Sequence, residues 1–177
     1  MLTVRGAELV ASADVVLHDE LIHPALLLLA RAGAEVRFVG KRGGDPLAKQ
    51  SIQSSIEAEL VALAREGRSV VRLKGGDPFL FGRGSEEAEE LAKAGVPFEI
   101  VPGVCSPIAA SAYAGISLTH RELASSVTFV SGTTRRGKGF DWSELSSVHG
   151  TICVLMGMRR IDEVALGLTR DAGRDPE

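Results

Sequence analysis

Cysteines, aromatic residues and long apolar runs are all scarce in this sequence, and each scarcity removes a class of protein. Only two cysteines occur, Cys105 and Cys153, far apart and in apolar surroundings. That excludes a disulfide scaffold and fits free thiols in a reducing cytoplasm. The longest apolar run, residues 24–30, falls well short of the roughly 20 residues a membrane helix needs, and the chain opens without a basic, apolar, small-residue signal pattern. No membrane association is expected. With charged residues at 24% and a formal net charge of −3, no field of one sign points to nucleic acid or an anionic lipid surface. His18, His23, His120 and His149 show no ligand spacing with each other or with the cysteines, so no metal site is expected. A dinucleotide fingerprint is also missing, since no G-x-G-x-x-G follows a strand.

What the sequence does hold is apolar material for a core: 45% hydrophobic residues in 177, enough for one compact domain and part of a second. Runs rich in β-branched residues predict short buried strands at 15–17, 36–39, 70–73, 98–101 and 127–130. Between them, helical spacing is found at 25–32, 56–65, 85–94 and 108–114. Strands alternating with helices imply crossover connections and a mainly parallel sheet. Ser85 with Glu86 and Glu87 predicts a helix N-cap and an acidic first turn, and Gly67 and Gly95 predict C-terminal stops. Residues 132–139 are small, basic and flexible and read as a linker. The expected organisation is an N-terminal α/β domain over 1–131, the linker, and the start of a second α/β domain over 140–177, with a short helix at 142–145, a strand at 151–155 and a helix at 161–169.

The segment VVRLKGGDPFLFGRG at 70–84 carries the most chemistry. A buried strand runs straight into a loop with four glycines, which let backbone groups approach a ligand closely at the carboxyl edge of a parallel sheet. A tight turn accounts for Gly75 and Gly76 but not for Gly82 and Gly84, which favours a backbone-lined ligand site. At 101–107, Val-Pro-Gly-Val-Cys-Ser-Pro, a second strand end meets small residues and a helix start, where Ser106 serves either as cap or as ligand contact. Asp19 and Lys41 each follow a strand and arrive at the same edge, as an acid–base pair or as a surface ion pair. The loop at 132–139 is close to the phosphate-binding pattern G-x-x-x-x-G-K-[ST] but ends in Gly139, without the hydroxyl that holds magnesium.

Taken in order, 2–6, 13–16, 39–42, 70–84, 101–103, 112–116, 118–121 and Met156-Gly157 resemble the uroporphyrinogen-III C-methyltransferases of the tetrapyrrole methylase family, with RLKGGDPFLFGRG the most specific segment. The resemblance implies two α/β domains with a cofactor cleft between them, with the family's first strand and most of its second domain lying outside this chain. It implies S-adenosylmethionine as methyl donor, leaving as S-adenosylhomocysteine, held by Gly75, Gly76, Asp77, Leu80, Cys105, Ser106 and Met156. By the same carry-over Asp19 is the proton acceptor and Lys41 the proton donor. No metal is required. The implied substrate, uroporphyrinogen III, bears eight carboxylates, for which Arg42, His120 and Arg121 are the candidate partners; the product, precorrin-2, leads to sirohaem or cobalamin. A cytoplasmic homodimer is also implied. The competing expectations are another precorrin methylase of the corrin route and a cofactor-binding fragment without activity. The sequence departs from the family at His18, Glu20 and Cys105, where a tyrosine, an arginine and a threonine are usual, and has extra residues between Arg42 and Gln53.

Overall fold

Val15, Val16 and Leu17 are fully buried. Since a strand sends successive side chains to opposite faces, this segment has to be covered on both sides. The computed structural model describes residues 1–40, 46–133 and 140–175, the side chains of 46–51 excepted. In chain order the first part comprises α1 (Val4–Ser12), β1 (Val15–His18), α2 (Pro24–Leu27), β2 (Glu35–Phe38), α3 (Pro46–Arg65), β3 (Val70–Leu73) and α4 (Gly84–Lys93). β1 lies between β2 and β3, parallel to both, with Leu17 level with Arg37 on one side and Arg72 on the other. The expected parallel sheet is therefore present, and the pleat of β1 divides the core. Val15 and Leu17 pack on Ile56, Leu60 and Leu63 of α3, with Leu91 of α4 at the margin. Val16 turns the other way, to Val10 of α1, Ala13 and Ile22, joined by Leu26 and Leu27 of α2.

The turn between α1 and β1 is fixed by Asp14. Its carboxylate accepts from the Ser69 amide at 2.8 Å and from the Arg31 guanidinium, tying the start of β1 to that of β3. Thr3 caps α1 by accepting from the Gly6 amide at 3.2 Å. Gly67 (φ +77°) and Gly95 (φ +67°) stop α3 and α4 in the left-handed conformation that glycine adopts at low cost, as the sequence predicts.

Three elements differ from expectation. The helix expected at 25–32 is only α2; Leu29 and Ala30 bond back three residues, to Leu26 and Leu27, in the tighter 3₁₀ pattern, and Leu28 is left 84% exposed. Residues 98–101 form no ladder among the described residues. A ladder needs a neighbour about 4.8 Å away; here Glu99 is instead gripped by Arg5, whose Nε and Nη2 donate to its two oxygens at 3.0 and 2.7 Å. Ser85 is not a cap. α4 starts one residue earlier, after Arg83 in the left-handed region (φ 58°), because the Gly84 amide bonds back to the Pro78 carbonyl at 3.0 Å.

The chain divides into two compact units, Met1–Ser106 and Pro107–Glu177. In the second, β4 (Val127–Ser131) pairs in parallel with β5 (Thr151–Leu155). α5 (Ser106–Tyr113) opens at the division, and α6 (Ile161–Leu166) follows β5. This second strand gives the unit a core of its own: Val130, Trp142, Leu145, Val164 and Ala172. Among the described residues no helix is long and apolar enough to cross a membrane.

Candidate active site

β3 ends at Leu73 and the chain turns across the carboxyl edge of the sheet. Gly75 and Gly76 are exposed there. A Cβ built on Gly75 would meet nothing nearer than Leu21 Cβ at 3.7 Å, and one on Gly76 (φ +79°) nothing nearer than the Cys105 Cα and Ser106 amide at 3.8 Å. The two peptides thus form a bare backbone shelf beside residues 104–106. Asp77 holds that shelf in place. One carboxylate oxygen accepts from the Phe79 amide, the other from the Gly103 amide, both at 2.9 Å, so a single side chain ties the glycine loop to the second loop. Gly103 must be a glycine, because a Cβ there would lie 2.9 Å from the Gly76 carbonyl carbon and closer still to its oxygen.

Gly82 and Gly84 have a structural cause. A Cβ on either would press on the Pro78 carbonyl, so loop packing by itself requires this pair. Phe81 (φ 53°) and Arg83 (φ 58°) are also left-handed without being glycine, which concentrates backbone strain in this loop. Leu80 and Cys105 are half-buried and Ser106 is exposed. α5 starts at Ser106 itself, and its hydroxyl makes no capping bond among the described residues, which leaves it available to a ligand.

Asp19 follows β1 at the same sheet edge. It accepts from Arg72 Nη2 at 2.5 Å, so the ion pair at this position is made with Arg72. Lys41, the expected partner of Asp19, and Arg42, expected at a substrate carboxylate, lie outside the described residues, as do 134–139 of the near phosphate-binding loop. Arg72 also donates through Nε to Glu87 at 3.2 Å and through Nη1 to the Leu73 carbonyl at 3.2 Å. Glu87 accepts in addition from Lys74 at 3.0 and 3.1 Å and from Gln53 at 3.3 Å. This charged cluster was missed in the sequence. Its signals are an arginine inside an otherwise apolar strand, VVRL, and a glutamate on the inner face of α4.

The remaining expected site residues belong to the second unit. Met156 follows β5 with φ 58° and is 55% exposed, an outward display of an apolar side chain on strained backbone. His120 uses Nδ1 to accept from the Glu122 amide at 3.3 Å; it and Arg121 are exposed.

Residues 1–177 match the family profile of Tetrapyrrole (Corrin/Porphyrin) Methylases. The chain is 48% identical over 166 residues to siroheme synthase 1 of Serratia proteamaculans, and 46% identical over 171 residues to siroheme synthase of Sodalis glossinidius. Those alignments cover 93% and 96% of this chain but 34% and 36% of the relatives, so the chain spans about a third of their length. Among solved structures, uroporphyrin-III C-methyl transferase from Thermus thermophilus complexed with S-adenosyl homocysteine superposes with a TM-score of 0.79 at 39% identity, covering 98% of this chain and 71% of that one. A cobalt precorrin-4 methyltransferase gives a TM-score of 0.81 at 29% identity, covering 99% and 70%. A parallel α/β sheet, a bare glycine shelf at its carboxyl edge and a profile match along the whole length all agree: the chain belongs to the tetrapyrrole methylase family.

Proposed function

We propose that this chain is a uroporphyrinogen-III C-methyltransferase unit that takes methyl groups from S-adenosylmethionine and places two of them on pyrrole carbons of uroporphyrinogen III, giving precorrin-2. The observation that carries the reading is the bare shelf at Gly75 and Gly76, clamped to the 101–106 loop through Asp77. The residues fit the donor: two exposed peptides suit a hydrogen-bonding cofactor, half-buried Cys105 and exposed Ser106, whose hydroxyl makes no hydrogen bond among the described residues, stand beside Gly76, and Leu80 joins them on the family resemblance. The Serratia and Thermus relatives support the same substrate class.

Bound at the shelf, S-adenosylmethionine supplies an electrophilic sulfonium methyl. The chain's own part is to hold a pyrrole carbon in line with it and to manage a proton. Alkylation of a pyrrole carbon would leave the macrocycle cationic, and the chain's residues would have to take up the proton whose loss neutralises it. Asp19, paired with Arg72, is the proposed acceptor at the sheet edge. Met156 as a cofactor contact, Lys41 as proton donor, and Arg42, His120 and Arg121 as partners for substrate carboxylates enter on the family resemblance. So do a cytoplasmic location, a homodimer, and the domain division at 132–139. A role in sirohaem synthesis is supported by the named relatives, and one in cobalamin synthesis by the precorrin-4 enzyme.

The test is incubation with labelled S-adenosylmethionine and uroporphyrinogen III. Two labelled methyl groups per tetrapyrrole are expected. Transfer to a later precorrin but none to uroporphyrinogen III would replace this reading with that of another precorrin methylase; cofactor binding without transfer to any tetrapyrrole would leave a binding unit only.

A further inference from the structure

Three ionisable side chains with little exposure gather behind Asp19. The side chains of Arg72, Lys74 and Glu87 are 10%, 8% and 5% exposed, whereas that of Asp19 is 31% exposed. Two cations and two carboxylates balance, and the cluster meets solvent at one member. Burying such charges is costly unless each is paired and hydrogen-bonded; an apolar cluster would fill the same place between α3, α4 and the sheet. The arrangement therefore needs a reason beyond packing.

The geometry supplies it. Arg72 sits on β3 level with Leu17 of β1, and its planar guanidinium is held on several sides: Nε on Glu87, Nη1 on the carbonyls of Leu73 and Leu17 at 3.2 and 3.5 Å, Nη2 on Asp19. A guanidinium fixed by backbone carbonyls on two strands cannot swing, so the Asp19 oxygen it grips is fixed too. Glu87 is held in turn by Lys74 and Gln53. Asp19 Oδ1 is occupied; Oδ2 has no hydrogen-bond partner among the described residues.

We propose that Arg72 and Glu87 are positioning residues for proton removal: Glu87, anchored by Lys74 and Gln53, sets the guanidinium of Arg72, which locks Asp19 through Oδ1 and presents Oδ2 as the oxygen that takes the substrate proton. This rests on the reading of Asp19 as proton acceptor.

The test is a double-mutant cycle on the 177-residue chain with Asp19→Asn, Arg72→Met and the pair, read as single-turnover methyl transfer together with S-adenosylhomocysteine affinity. Asp19→Asn and Arg72→Met are each expected to slow transfer by roughly 10²-fold, the scale of a misplaced catalytic group, with cofactor affinity unchanged. The pair is expected to be no slower than either alone, because groups that act as a unit are non-additive. Arg72→Lys keeps the charge and one bond to Asp19 and should recover part of the loss; Glu87→Gln should slow transfer without weakening cofactor binding. Losses that multiply in the pair would overturn the inference while leaving Asp19 as acceptor. Full transfer by Asp19→Asn would remove the acceptor reading itself, and this inference with it. A second readout needs neither turnover nor the Met variant: in wild type the Arg72 Nε–H should give a sharp, exchange-protected NMR resonance that moves in both Asp19→Asn and Glu87→Gln. A rapidly exchanging Arg72 signal indifferent to both substitutions would also overturn it.

Discussion

Replacing Gly103 with alanine attacks the joint between the two loops of the site without replacing any residue assigned to chemistry. The new methyl would lie 2.9 Å from the Gly76 carbonyl carbon, 3.1 Å from Asp77 Cα and nearest of all to the Gly76 oxygen. All three are backbone atoms, so no flexible side chain can yield. Overpacking of this kind typically costs about 1–3 kcal/mol. If the loops part to relieve it, the Gly103 amide loses its bond to the Asp77 carboxylate, a charge-assisted bond of about 1.5–3 kcal/mol. Since parting relieves the clash, the two penalties overlap, and a total of roughly 2–4 kcal/mol is expected. Gly75→Ala is the control: its methyl would meet only Leu21 Cβ at ordinary contact distance, so stability should change by less than about 0.5 kcal/mol while the methyl stands on the cofactor shelf. Urea denaturation gives both values from the shift in midpoint at constant slope. An unchanged midpoint for Gly103→Ala, or equal losses for the two variants, would refute the reasoning.

Other consequences follow from the packing and the ion pairs. Leu17→Ala, at the centre of the first sheet, should cost about 2–5 kcal/mol in urea denaturation. Thr3→Ala removes an observed cap and should cost about 1 kcal/mol, while Ser85→Ala, which caps nothing, should fall within about 0.5 kcal/mol in the same assay. Gly167→Ala would place a Cβ about 2.5 Å from Trp142 Nε1; a red shift of tryptophan fluorescence should report the displaced indole. Hydrogen bonds from Arg37 first and Arg68 next hold the Glu35 carboxyl down to about 2 from the ordinary 4.5. A depressed folded value means stability present above the unfolded pKa and lost as pH falls through the folded one. The melting temperature should therefore drop between about pH 4.5 and 2, and Glu35→Gln should flatten that slope modestly, as befits an exposed pair.

Much of this was legible in the sequence because it depends on local pattern. The run at 15–17 announces its strand, the alternation of strands and helices announces a parallel sheet, and Gly67 and Gly95 announce where helices stop. What escaped depends on pairing across distance. Residues 98–101 have strand composition but find no ladder partner among the described residues, while 127–131 has the same composition and pairs with 151–155. Gly82 and Gly84 read as ligand glycines because a sequence does not show that the Pro78 carbonyl will lie under them. Arg72 and Glu87 are fifteen residues apart, and only the packing of α4 beside β3 makes them one cluster.

The central claim is that the exposed peptides of Gly75 and Gly76 form the methyl-donor shelf. Isothermal calorimetry with S-adenosylhomocysteine on the 177-residue chain and on Gly75→Leu tests it most directly. One saturable site in the wild type, lost in the variant at an unchanged melting temperature, is the predicted result; no binding by the wild type, or equal binding by both, would contradict it.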